Sequence, residues 1–456
     1  MKAMAVRAAL AALAMSVSFA AWGDFSAAVS DYHAGRYDSA RAQFLQMAAL
    51  GDCSSQFNLG AMALHGQGGP QDSGAAAGWL EAAAENGCSP LVGSRLAALK
   101  PKLSAAEQRR AADIVAHYGR AALRAEGVVD PELACRDETP PAALEIPAVD
   151  VSRVAPGDAL VIAMLTIGTD GFARDPQILL ADPATGVAPA AVEAWMHGRF
   201  APAGRGGVPV ARQIQLSYVL TRKAGVDPWS TPPLKDAREA ANAGDPRAEY
   251  RVGLASYGTA PGGSARAEDF LLRAARDGNP QAQYWIGARL RASSACHHDI
   301  DGAVWLRHAA QGGAAAAQLT LARDLLSGTP GAAQVAEARA LLASAAQSSD
   351  YYVMKHVVGL LAASPTEAVR DPAMALGVAR RLAAGEIQSD PQMFEAIAAA
   401  DAATGDFAAA ATRQETAIEE AKRLGWSAPD MRERLEAYRA RRAWLGDLFE
   451  AGAAQH

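Results

Sequence analysis

Apolar and polar positions along the chain follow two different rhythms. From Arg273 to Gln283 the chain reads RAARDGNPQAQ, and from His308 to Gln318 it reads HAAQGGAAAAQ. Ala274, Ala275, Gly278, Ala282 and Gln283 return as Ala309, Ala310, Gly313, Ala317 and Gln318, and Phe270 returns as Trp305. Phe44, Ala48 and Ala49 return as Trp79, Ala83 and Ala84 at the same interval, and Gly244 and Ala248 precede Gly278 and Ala282 by nearly the same step. A period of about 35 residues suits two helices of ~12 residues with two short loops, a helix–turn–helix hairpin stacked on its neighbours. The recurring alanines then mark helix crossings. The recurring glycine marks a helix end that needs a positive φ, and the aromatic fills the groove between hairpins.

The second rhythm lies between the two repeat regions. Ala159 to Ile167 is apolar and rich in β-branched residues, and Gly168-Thr169-Asp170-Gly171 is a hairpin turn signal. Ala173 to Leu180 returns as a second strand. Pro189 to Phe200 reads as a helix opened by proline. In Arg212 to Thr221, Ile214, Leu216, Tyr218 and Leu220 alternate with Gln213, Gln215, Ser217 and Val219, the period-two pattern of a strand. The fold class that follows is mainly α, an α-solenoid of helix–turn–helix repeats with a small α+β insert of order β-β-α-β.

The expected boundaries are a leader at 1–23, repeats at 24–128, a linker at 129–150, the insert at 151–224, repeats at 225–386, and a terminal unit at 387–456. Within that last unit, Phe394 to Gly425 reads as a hairpin turning at Gly405-Asp406-Phe407. Met431 to Phe449 reads as a charged helix capping the stack.

Composition supports this picture. Of 456 residues, 50% are hydrophobic but only 6% aromatic, so the core relies on Ala, Leu and Val. The net charge of −6 and the lack of a Lys/Arg stripe argue against a nucleic-acid partner. Lys2 and Arg7 precede an apolar stretch, Ala8 to Ala21, that is short for a membrane span. Small residues flank Phe19 and Trp22. The pattern is that of a cleaved secretory signal peptide, which places the chain in the periplasm with no membrane span after cleavage. Without Lys2 and Arg7, 41 basic residues remain against 49 acidic ones. Export puts Cys53, Cys88, Cys135 and Cys296 in an oxidising compartment, with three full connectivities open. Cys53 and Cys88 are equivalent positions of neighbouring repeats, expected ~8–10 Å apart, so this pairing is slightly disfavoured against the ~7 Å limit for a disulfide.

The repeat pattern resembles the Sel-one-like repeats, relatives of the tetratricopeptide repeats, over roughly 30–125 and 237–350. Leu59-Gly60, the loop His65 to Asp72, the block Trp79 to Ala83 and the AA-x-x-G helix ends carry the likeness. It implies protein–protein scaffolding, with no cofactor. The insert resembles the C-terminal domain of the TonB family, over about 155–222. The residues that carry this are Thr169-Asp170-Gly171, Ala190 to Trp195, Phe200-x-Pro202-Ala203 and Gly207-x-Pro209-Val210. That resemblance implies capture of an extended peptide, as of an outer-membrane protein, by addition to an exposed strand edge. Arg212 to Thr221 is the expected edge, with Gln213, Gln215, Ser217 and Val219 as the expected partner-binding residues.

Chemistry is weakly marked. The glycine-rich His65 to Gly69 has no following Lys-Ser/Thr and coincides with a repeat loop. Cys296-His297-His298-Asp299, with His308 nearby, has metal-ligand types but falls in an inter-helix loop. The sequence therefore reads as a periplasmic interaction scaffold with protein partners of the cell envelope. The other readings are a TonB-type energy-coupling component with an uncleaved anchor, and a metal-dependent enzyme.

Overall fold

The structure, a computed structural model, describes residues 25–129, 131, 138–152, 157–182, 186–221, 229, 232–259, 264–293 and 302–449. The expected leader, Cys135, and the Cys296 to Asp299 cluster lie outside the described residues.

The first helical array comprises α1 (Phe25–His33), α2 (Tyr37–Ala48), α3 (Cys53–His65), α4 (Ser73–Glu85), α5 (Pro90–Leu99), α6 (Ala105–Tyr118) and α7 (Arg120–Ala125). Next come β1 (Glu138–Thr139), β2 (Ala142–Glu145), β3 (Ala159–Ile167), β4 (Ala173–Asp182), α8 (Val187–Met196), β5 (Arg199–Ala201), β6 (Ala203–Arg205), β7 (Val208–Val210) and β8 (Arg212–Leu220). The second array runs through α9 (Pro232–Asn242), α10 (Pro246–Thr259), α11 (Ser264–Arg276), α12 (Pro280–Ser293), α13 (Ala303–Gln311), α14 (Ala315–Leu325), α15 (Ala332–Ala345) and α16 (Tyr351–Ala363). It ends with α17 (Pro372–Ala383), α18 (Pro391–Ala403), α19 (Phe407–Leu424) and α20 (Pro429–Arg439). Helices adjacent in sequence pack on each other through most of both arrays, with α6 packing on α4, so the fold is an α-solenoid with an α+β insert.

The repeat residues do what their spacing requires. Ala274, Ala275, Ala282, Ala309, Ala310 and Ala317 are buried, and Gly244, Gly278 and Gly313 end their helices with φ near +90°. Gly60, Gly253 and Gly287 each sit where a Cβ would press on a leucine of the following helix, Leu80, Leu271 and Leu306 respectively. Close helix crossing thus depends on a missing side chain at the same place in three repeats. A further repeat signature is buried glutamine. Gln56, Gln283 and Gln318 each donate from Nε2 to the carbonyl of Ala48, Ala275 and Ala310, at 3.0–3.1 Å. Each adds a second bond to a carbonyl near the end of the preceding helix, which also accepts from the amide of Gly51, Gly278 or Gly313 in the turn.

The main sheet is antiparallel with order β4-β3-β8. Its core strand β3 is apolar on both sides because both sides are covered. Val161, Ala163, Leu165 and Ile167 join α8 residues such as Val192 and Trp195, and also Leu424, Trp426 and Met431 of the terminal unit. Leu160 and Ile162 join Leu50, Leu123, Val128 and Val129 of the first array with Leu254, Trp285 and Trp305 of the second. The Trp305 indole donates to Gly127 O at 3.1 Å. The insert therefore binds the two arrays through a shared core.

Three expectations need correction. The stretch expected to be a linker contributes β1, which pairs with β6, and β2, which pairs with β5. Cys53 and Cys88 form a disulfide, with Cα atoms 5.5 Å apart. Cys53 opens α3, whereas Cys88 sits in the turn before α5, so the two are not held at the spacing of packed helix axes. The expected helix Met431 to Phe449 stops at Arg439. Arg441 takes a positive φ of 57°, Gly446 takes φ 146°, and the chain runs back irregularly to α16. A glycine inside a helix costs ~1 kcal/mol relative to alanine, so this stop is inexpensive.

Candidate functional site

Three successive repeats place α12, α14 and α16 side by side around a cavity of about 830 Å³. Arg205 of β6 and the start of β8, Arg212 and Gln213, close it from the sheet side, and Gly446 to Phe449 close one end. The lining holds four guanidinium groups, of Arg205, Arg212, Arg291 and Arg323, against the carboxylates of Asp324 and Asp447. Arg291 pairs with Asp324 across α12 and α14, and Arg323 lies 3.4 Å from Asp447.

Beneath the cavity lies a buried polar cluster that joins the sheet to the array. Lys355 of α16 is fully buried, with Nζ 2.9 Å from both Asp175 and Asp390 and 3.1 Å from Gln392 Oε1. Tyr351 donates to Asp390 at 2.9 Å, and His356 Nε2 is 2.8 Å from Asp175. Asp175 reaches this position from an irregular register in β4, at a positive φ of 55°. Burial alone would push Asp175 up, but the adjacent His356 and Lys355 outweigh it and hold its carboxyl well below the usual range. Burial would strip Lys355 of its proton, yet Asp175 and Asp390 overcome that and raise it. Burial lowers His356, against the opposing pull of the Asp175 carboxylate. Tyr284 and Tyr352 of the lining are pushed up by burial, and Tyr284 Oη is bound to Gln177 at 3.1 Å. These groups are committed to one another, and the cluster's chemistry is that of a latch.

The strand residues expected to meet a partner divide. β8 is an edge strand of the main sheet. Ile214, Leu216, Tyr218 and Leu220 pack on the α8 side as expected. The opposite row faces the second array. Gln215 donates to Leu254 O at 3.2 Å and accepts from the Trp285 indole at 3.3 Å, and Val219 packs among the residues of the shared core. Ser217 is half-buried, and Gln213 lines the cavity. This face of β8 is covered by the second array, and Arg212 and Gln213 at the start of the strand line the cavity. His308 is half-buried and lowered to about 4, mainly by desolvation. Among the described residues no three His, Cys, Asp or Glu side chains gather in a metal-binding arrangement. The cavity's arginines carried no sequence signal, because Arg205, Arg212, Arg291 and Arg323 come from four separate elements.

No family model matches the chain, and no curated protein matches it. Among solved structures it is similar to a protective antigen present in uropathogenic Escherichia coli strains that displays an SLR fold, at 15% identity. The match covers 92% of this chain and 76% of that one with a TM-score of 0.33. Among the described residues no helix is long and apolar enough to cross a membrane.

Proposed function

We propose that this protein is a periplasmic interaction scaffold that holds an extended segment of a protein partner in the cavity between the second array and the insert. The observation that carries this reading is the cavity itself: three stacked repeats form one wall, and Arg205, Arg212 and Gln213 of the insert, the last two on edge strand β8, line the other. Helical repeats offer such continuous surfaces to polypeptides, and a strand end supplies backbone groups that an extended chain can match. The β3-β4-α8-β8 order of the main sheet and its helix is in keeping with a TonB-like peptide-gripping module. The Cys53–Cys88 disulfide and the basic, then apolar, N-terminal pattern are in keeping with export and an envelope partner.

Selection of displayed peptides against the full chain tests the reading, followed by counter-binding to Thr320→Trp, which intrudes into the cavity. Selected peptides should lose at least tenfold in affinity for the variant. Peptides that bind the folded variant as well as the parent would refute it.

A further inference from the structure

We infer that the first array carries a second binding site, separate from the cavity of the second array: a pocket between α1, α3 and α5 that takes a small anionic amphiphile, an alkyl chain ending in a carboxylate. The alkyl chain lies against Phe25, Phe57, Leu91 and Val92, and the head meets Arg95. The pocket holds about 370 Å³, within the range of small-ligand sites.

The pocket follows from how the array is built. The chain skips a layer: α6 packs on α4, and α5 keeps an open face along which Leu91, Ser94, Arg95 and Ala98 are exposed. These positions share one side of a helix. Leu91 is 73% exposed, and it lines the pocket with Phe25 and Phe57, both half-buried. Phe57 shows what is missing. Phe57, Tyr284 and Leu319 each follow the buried glutamine of their repeat; Tyr284 and Leu319 are buried, whereas Phe57 is left partly open. A contiguous uncovered apolar patch of this kind marks a binding surface.

The walls are braced. Cys53 opens α3 and Cys88 stands just before α5, so the crosslink ties together two elements that face each other across the pocket. Walls fixed in advance lose little freedom when a ligand enters.

Charge selects the ligand. The Arg95 guanidinium stands 5.2 Å from the centre of the Phe57 ring, which holds a cation at the mouth. Among the described residues no carboxylate pairs with Arg95. A guanidinium takes a carboxylate through two parallel hydrogen bonds, and the half-buried Asn58 amide lies on the same wall. One cation at the rim of an apolar pocket fits a molecule with one negative end, and the volume fits such a molecule whole.

Decanoate is the probe, titrated into the oxidised full-length protein by calorimetry below its micelle-forming concentration. It should bind at one saturable site. Arg95→Glu should weaken it roughly tenfold or more, the worth of a hydrogen-bonded charge, and decylammonium should then bind the variant better than decanoate does. Leu91→Asp, a surface change that leaves the core intact, should weaken decanoate by a similar factor. Thr320→Trp alters the other cavity and should bind decanoate as the parent does. No saturable binding by the parent, equal binding of decanoate and decylammonium, or unchanged affinity in Arg95→Glu or Leu91→Asp would overturn the inference. Loss of binding in Thr320→Trp would place decanoate in the larger cavity and overturn it too, leaving the reading of that cavity untouched. Tighter binding of decyl phosphate than of decanoate would overturn the carboxylate head. A parent dimer in sedimentation that Leu91→Asp dissolves and decanoate leaves intact would put a second copy of the chain in the pocket instead.

Discussion

Lys355 of α16 and Asp175 of β4 form an ion pair at 2.9 Å, with the lysine fully buried. The pair fixes the insert against the helices that line the cavity. It also explains why Asp175 adopts a left-handed conformation at a break in strand register. Removing one partner of such a pair leaves an uncompensated charge out of water.

Lys355→Met should therefore cost about 3–5 kcal/mol in unfolding free energy, read from urea denaturation. Lys355→Met/Asp390→Asn should recover part of that loss, because one stranded carboxylate is neutralised. A single variant with the parent's midpoint would show that the latch does not hold the insert.

The Cys53–Cys88 crosslink closes a loop 35 residues long. Chain-entropy bookkeeping gives it about 3–4 kcal/mol. Peptide mapping under non-reducing conditions should recover Cys53 joined to Cys88, and reduction should lower the midpoint of the first array. Cys53 found joined to Cys135 or Cys296 would contradict the pairing.

Asp277 reports on the seam between the arrays. Burial first, then the nearby carboxylates of Asp52 and Glu249, push it up to about 7. A carboxyl raised in the folded state favours folding while protonated, and that contribution is lost as pH rises toward and through 7. Stability should therefore fall between about pH 4 and about pH 7 and level off above that. Asp277→Asn should remove roughly 1–2 kcal/mol of that fall, a figure discounted for the group's partial exposure. Equal pH slopes for the two proteins would disprove the assignment.

Two glycines to alanine should act in opposite directions. At Gly287 the new methyl would stand 2.8 Å from Leu306 and 3.1 Å from the Gly302 carbonyl, so Gly287→Ala should cost about 1–3 kcal/mol. At Gly377, exposed inside α17, nothing lies within 4 Å, so Gly377→Ala should gain ~0.5–1 kcal/mol. Thermal melts of both variants give the signs directly.

Much of the architecture was legible in the sequence because it is local. Strand β3 spans Ala159–Ile167 as its apolar run predicts, and β8 begins at Arg212 as the alternation predicts. The glycines at the helix ends and the alanines at the crossings follow from the repeat interval. Relations between distant segments were not legible. Gln213, Gln215, Ser217 and Val219 alternate as a solvated face would, yet Gln215 and Val219 serve a helix–sheet contact whose partners lie in the second array. Trp444, Leu445, Leu448 and Phe449 are spaced as on a helix face, and only Arg441 and Gly446 mark the break that sends them to α16. Asp175 gave no signal, because its partners Lys355 and His356 are remote in sequence.

Site-specific photo-crosslinking tests the central claim most directly. A crosslinker replaces Leu360 in the cavity, or Glu337 on the exposed face of α15, in cells that make the protein. The account predicts adducts from position 360 that map to one extended segment of one partner and that excess cavity-binding peptide suppresses, with no such adducts from position 337. Equal labelling from both positions, or adducts that the peptide leaves unchanged, would contradict it.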